Sequence, residues 1–68
     1  MNNTLIYFIK IMYEQAELSK DSFDIHLYIA NCVGACIYDY MQTGERDAID
    51  LWNSEWKEKF YKLLEKIA

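Results

Sequence analysis

Between Leu27 and Tyr38 the chain reads LYIANCVGACIY, twelve residues in which Asn31 is the only strongly polar side chain. A bilayer span takes about 20 apolar residues, so this run is too short to cross a membrane and calls for a protein cover. On both sides of it the pattern becomes amphipathic with helical period. Ile6, Ile9, Tyr13 and Ala16 recur in 3-4-3 steps beside a second seam of Leu5, Phe8 and Met12, with Lys10, Glu14 and Glu17 opposite. That spacing predicts a helix over residues 4–18 with a wide apolar face, opened by the N-cap types Asn2, Asn3 and Thr4.

Ser19 to Ser22 form the first break, with Asp21 or Ser19 available as the next cap and Asp24 placed to favour a helix start. The second helix is expected over residues 22–42. Its polar positions make one narrow stripe, Asp24, Tyr28, Asn31, Ala35, Asp39 and Gln42, and everything else on it is apolar or small. A helix apolar nearly all round is the central one of its bundle. Gly44 suits the left-handed residue that ends a helix. Beyond it, Ile49, Trp52, Trp56, Phe60, Leu63 and Ile67, supported by Ala48 and Leu64, predict a third helix over residues 45–67, with Asn53 and Ser54 as the place for a bend or split. Glu45, Asp47 and Asp50 load its start and Lys59, Lys62 and Lys66 its end, as the helix dipole prefers. With no proline and no strand-like alternation, the chain is expected to be all-α, a compact three-helix bundle in a single helical domain over residues 1–68.

Size sharpens this picture. A chain of 68 residues has a marginal core, and small domains are supplemented by disulfides, metals, unusually good packing or association. Cys32 and Cys36 lie four apart on one helix, where Cβ atoms stand about 5 to 6 Å from each other, beyond the roughly 3.5 to 4.5 Å of a disulfide. Apolar residues make up 53% of the chain and eleven are aromatic, so association is the expected supplement. Ala30, Gly34 and Ala35 would let a second backbone approach closely. Tyr28, Ala30, Asn31, Gly34, Ala35 and Tyr38 are the residues expected to mediate self-association, as a homodimer.

The net charge of −4 argues against direct nucleic-acid binding, which rests on clustered Lys and Arg. Residues 21–55 carry seven acids against Arg46 alone, whereas residues 56–68 carry four lysines against two glutamates. That polarity suits a self-complementary contact. Asp47, Asp50, Ser54 and Glu58 fall on one helix face, and Asp39, Glu45, Asp47, Asp50 and Glu58 are the expected partner-binding acids, with Glu55 nearby. Such a face complements a basic, nucleic-acid-binding protein. Ordinary solvation and dipole matching account for any one of these acids taken singly.

Chemistry is thinly represented. Cys32 and Cys36 lack the further ligands of a structural zinc site, and His26 lies about 120° from Cys32 around the helix. Ser19, Ser22 and Ser54 sit at breaks or caps, and no nucleophile and base are recognisable as a set with His26. No enzyme activity, metal or cofactor is expected, and the thiols read as small packing groups. The N-terminus lacks the basic leader and small-residue cleavage site of a signal peptide, which predicts a cytoplasmic protein. Only Lys57 to Lys66 approaches a membrane-binding basic helix, so no membrane partner is expected. Isoleucine, lysine, asparagine, tyrosine and phenylalanine are abundant, as AT-rich coding produces. Together these features suggest a phage or mobile-element type of inhibitor that binds and blocks a host protein such as a defence nuclease. The second reading is a structural or regulatory helical subunit acting through homo-oligomerisation, or an immunity-type helical protein.

Overall fold

The structure is a computed structural model, and it describes residues 2–67. Helix α1 spans Asn3–Leu18, α2 Ser22–Thr43, α3 Asp47–Leu51 and α4 Lys57–Ile67. A π-helical turn over Trp52–Trp56 joins α3 to α4, so the two form one interrupted third helix. The all-α three-helix bundle read from the pattern is therefore the fold.

Each boundary has a local cause. The Asn2 side chain accepts from the backbone N–H groups of Thr4 at 2.9 Å and Leu5 at 3.4 Å, satisfying two of the donors that a helix start leaves free. Asp21 does the same for Phe23 at 2.9 Å. Between them, the Ser19 hydroxyl accepts from the Asp21 N–H at 3.2 Å and holds the turn. Gly44 ends α2 in the left-handed conformation with φ 74°, its N–H reaching the Tyr40 carbonyl at 2.7 Å. Thr43 braces that corner by donating to the Asp39 carbonyl at 2.9 Å and accepting from the Glu45 N–H at 3.1 Å.

The helices run up, down and up. Leu5 and Phe8 at the start of α1 line a groove with Tyr38 and Gln42 at the end of α2. Ile37 and Ile49 share a second groove with Ile29, Lys57 and Tyr61, so the third helix runs antiparallel to α2. The resulting bundle measures 37 × 18 × 16 Å, close to the length of α2 itself. Its core is one apolar cluster: Leu5, Ile9 and Ala16 from α1, Ile25, Ile29, Cys32 and Cys36 from α2, and Ala48, Trp52, Phe60 and Leu63 from the third helix. Tyr13 stands edge-on to Trp56 and Phe60, with ring centroids 5.7 and 5.3 Å away, and Trp52 meets Phe60 at 5.3 Å. No polar or charged side chain is buried among the described residues.

The π-turn follows from the apolar spacing. Ala48, Trp52, Trp56 and Phe60 recur at three successive steps of four, whereas an α-helix turns once in 3.6 residues. Over such a run the apolar stripe would drift around the helix. One wider turn, in which the Lys57 N–H bonds back to the Trp52 carbonyl, absorbs the surplus residue and returns Phe60 and Leu63 to the core. Asn53 and Ser54 lie inside this turn, and the Ser54 hydroxyl reaches the Leu51 carbonyl at 3.5 Å. The third helix thus runs on through a π-turn at the place where Asn53 and Ser54 were expected to bend or split it.

Candidate interaction surface

Helix α2 has two apolar faces. Ile25, Ile29, Cys32 and Cys36 form the inner one and are buried. At 100° per residue, Phe23, Leu27, Ala30, Gly34, Ile37 and Met41 lie about 110 to 170° away, and every one of them is exposed. Their steps are 4-3-4-3-4, the spacing of a coiled-coil seam. Apart from Ile37, which is half exposed and also lines the groove shared with Ile49 and Tyr61, this face meets no groove between the described helices. Of the large apolar and aromatic side chains left exposed, Phe23, Leu27, Ile37, Tyr38, Tyr40 and Met41 all belong to α2.

Gly34 occupies the middle of this face, and a Cβ placed there would find no atom within 4 Å. Nothing inside the bundle therefore requires glycine at this position. In mid-helix it costs about 1 kcal/mol relative to alanine, and the gain it offers is room for a neighbouring backbone. Of the six residues expected to mediate self-association, Ala30, Asn31, Gly34 and Tyr38 are on the open side. Tyr28 and Ala35 are half-buried and pack against the core. They lie at the inner edge of α2, because the stripe of Asp24, Tyr28, Ala35 and Asp39 flanks the buried face rather than the solvent. The expected self-association set did not include Phe23, Leu27, Ile37 and Met41, which are exposed on this side; their heptad spacing is the signal that marks them.

The expected acidic surface is distributed over three places. Glu45, Asp47 and Asp50 are exposed at the corner where α2 gives way to α3. Arg46 partly offsets them, with its Nε 3.9 Å from Asp50 Oδ1 and its guanidinium 5.9 Å from the centre of the Tyr40 ring. Asp39 is half-buried and lines the groove shared with Asn2 and Thr4 at the start of α1. Glu58 lies about 16 Å farther along the helix axis than Asp47, counting 1.5 Å per residue. It pairs with Lys62 at 3.4 Å. The corner of Glu45, Asp47 and Asp50 is the coherent part of the set.

Both thiols are free and buried. Burial pushes Cys32 up to about 12 from 9.0, with the neighbouring Cys36 adding to the shift. Cys36 is raised by burial first and by the Asp39 carboxylate second. Both are therefore neutral packing groups at ordinary pH. His26 is exposed on α2. Among the described residues no group of three or more His, Cys, Asp or Glu side chains is placed to hold a metal ion, and no helix is long and apolar enough to cross a membrane. A groove of about 460 Å³ between α1 and α2, lined by Leu5, Phe8, Ala35 and Tyr38, opens next to the outer face of α2.

No protein-family model matches the chain, and neither the curated proteins nor the solved structures compared with it contain a match.

Proposed function

We propose that this chain is a non-enzymatic protein-binding domain. The observation that supports the reading is the outer face of α2, where five large apolar or aromatic side chains surround an exposed glycine. Contiguous apolar patches of that kind mark contact surfaces in soluble proteins. Two surfaces divide the work in this account. The open face of α2 joins copies of the chain, and the acidic corner of Glu45, Asp47 and Asp50 meets a target of opposite charge.

A basic, nucleic-acid-binding protein fits that corner, because carboxylates clustered at the α2–α3 corner complement a cationic groove and speed encounter. Blocking such a groove is the action of an inhibitor, and the small size and AT-rich residue usage suit one made by a phage or mobile element against a host defence nuclease. The acting compartment in this account is the cytoplasm. The test is capture of the target from the native host at low and at high salt by the unaltered chain and by Asp47→Lys with Asp50→Lys. The account expects capture by the unaltered chain at low salt, loss of it well above ~0.1 M salt, and at least tenfold weaker capture by the double variant at unchanged helicity. Equal capture by both chains counts against the acidic corner.

A further inference from the structure

We infer that the outer face of α2 takes a second copy of this chain in an antiparallel, two-fold pair centred on residue 32. The inference rests on the reading of that face as a contact between copies of the chain and adds its direction and its register. Three observations carry it.

The first is area. Phe23, Leu27, Ile37, Tyr38 and Met41 expose 70%, 49%, 47%, 64% and 73% of their surfaces. Taking roughly 200 Å² for a large side chain, these five alone offer on the order of 600 Å² per chain. The backbone around Ala30 and Gly34 adds to this, which brings each copy near the ~800 Å² that one partner contributes to a stable pair.

The second is the order of sizes. Along the seam the residues run large, large, small, small, large, large, from Phe23 and Leu27 through Ala30 and Gly34 to Ile37 and Met41. That order reads the same in both directions about position 32. In an antiparallel pair Phe23 therefore meets Met41 of the second copy, Leu27 meets Ile37, and Ala30 meets Gly34, with the closest approach of the backbones at the two-fold axis. The flanking positions match as well. Asn31 faces its own copy across the axis, where two amides can exchange hydrogen bonds. Asp24 comes beside Tyr38 of the second copy, a carboxylate beside a phenol, and His26 beside Tyr40.

The third is charge, and it decides the direction. The seam from Phe23 to Met41 carries no charged side chain, but the ends of the bundle differ. Glu45, Asp47 and Asp50 lie at the C-terminal end of α2, and because the third helix runs antiparallel to α2, Lys62 and Lys66 lie toward the other end. A parallel pair would set two acidic corners side by side. The antiparallel pair sets each acidic corner at the same end as the lysines of the other copy, and opposes the two α2 dipoles. It also holds the acidic corners about 40 Å apart, from 1.5 Å of rise per residue, so the dimer presents two target-binding ends facing away from each other.

Thiol cross-linking of the full chain tests the register, because the native Cys32 and Cys36 are buried and provide the unlinked control. Leu27→Cys and Ile37→Cys chains are oxidised separately and as a mixture. The antiparallel pair yields linked dimer only in the mixture, since residue 27 of one copy meets residue 37 of the other. Linked dimer from either variant alone means a parallel pair and overturns the inference, while leaving self-association through α2 in place. If either variant loses helicity, Asn31→Cys repeats the test at an exposed edge position. It links to its own copy across the antiparallel axis, and in a parallel pair the two thiols stay on opposite flanks. Absence of any linked dimer overturns both the inference and the reading of α2 as the self-association surface.

Discussion

Single residues in this protein are explained by the side of a helix they occupy. Cys32 and Cys36 read as packing groups in the sequence, and their place on the inner face of α2 keeps them buried and neutral. Their linkage to stability has a definite sign. Above pH 9.0 the unfolded chain loses the Cys32 proton, whereas the folded chain keeps it up to about 12, so the unfolded state binds fewer protons and stability falls as pH rises through that window. Urea midpoints of the wild type should therefore decline more steeply between pH 9 and 12 than those of Cys32→Ala, which shares every other titrating group; equal slopes would contradict the burial of this thiol. Gly44 provides a second case. A methyl group there has open space, so the cost of Gly44→Ala comes only from the positive φ of 74°, about 1 kcal/mol. An unchanged urea midpoint would show that the α2–α3 corner does not require the left-handed turn.

At the scale of elements, the sequence disclosed most where local chemistry and period agreed. The capping side chains of Asn2 and Asp21, the glycine at 44 and the 3-4 spacing of apolar residues located the helix ends to within about two residues, the usual uncertainty of such boundaries. The third helix was harder to read. Its stripe from Ile49 to Ile67 keeps an average period of 3.6, which hid the local run of fours at Ala48, Trp52, Trp56 and Phe60 that a π-turn must absorb. The two faces of α2 were hard to separate for a different reason: both are apolar, so hydrophobicity could not say which one the other helices cover. Tyr28 and Ala35 were consequently counted with the self-association residues, and Phe23, Leu27, Ile37 and Met41 were not. The π-turn yields its own prediction. Removing Ser54 converts the 4-4-4 spacing to 4-3-4, which a plain α-helix satisfies, so the deletion should keep cooperative thermal unfolding with a Tm near that of the wild type. Removing Asn31 from α2 has no such slack; it rotates Cys32 and Cys36 by about 100° away from Ile25 and Ile29 and should abolish cooperative unfolding. Equal tolerance of the two deletions would contradict the proposed origin of the turn.

For the whole molecule, the central helix decides the behaviour. A bundle of this size fills its core from one side of α2 and leaves most of the opposite side exposed, and in the proposed pair that second face would add burial to a core that is small for want of chain length. The contact is apolar, so added salt should leave it intact while weakening capture of a target by the acidic corner, which separates the two surfaces in one titration. Gly34→Leu should act oppositely on folding and on assembly. Its side chain enters open space in the monomer and favours the helix, yet it fills the gap that the second backbone would occupy. The most direct measurement is sedimentation equilibrium of the unmodified chain across the micromolar range, beside Gly34→Leu. The account predicts that the wild-type mass rises from 8.2 kDa toward twice that value, while the variant remains at 8.2 kDa with undiminished helicity. A wild-type chain that stays at 8.2 kDa throughout contradicts it.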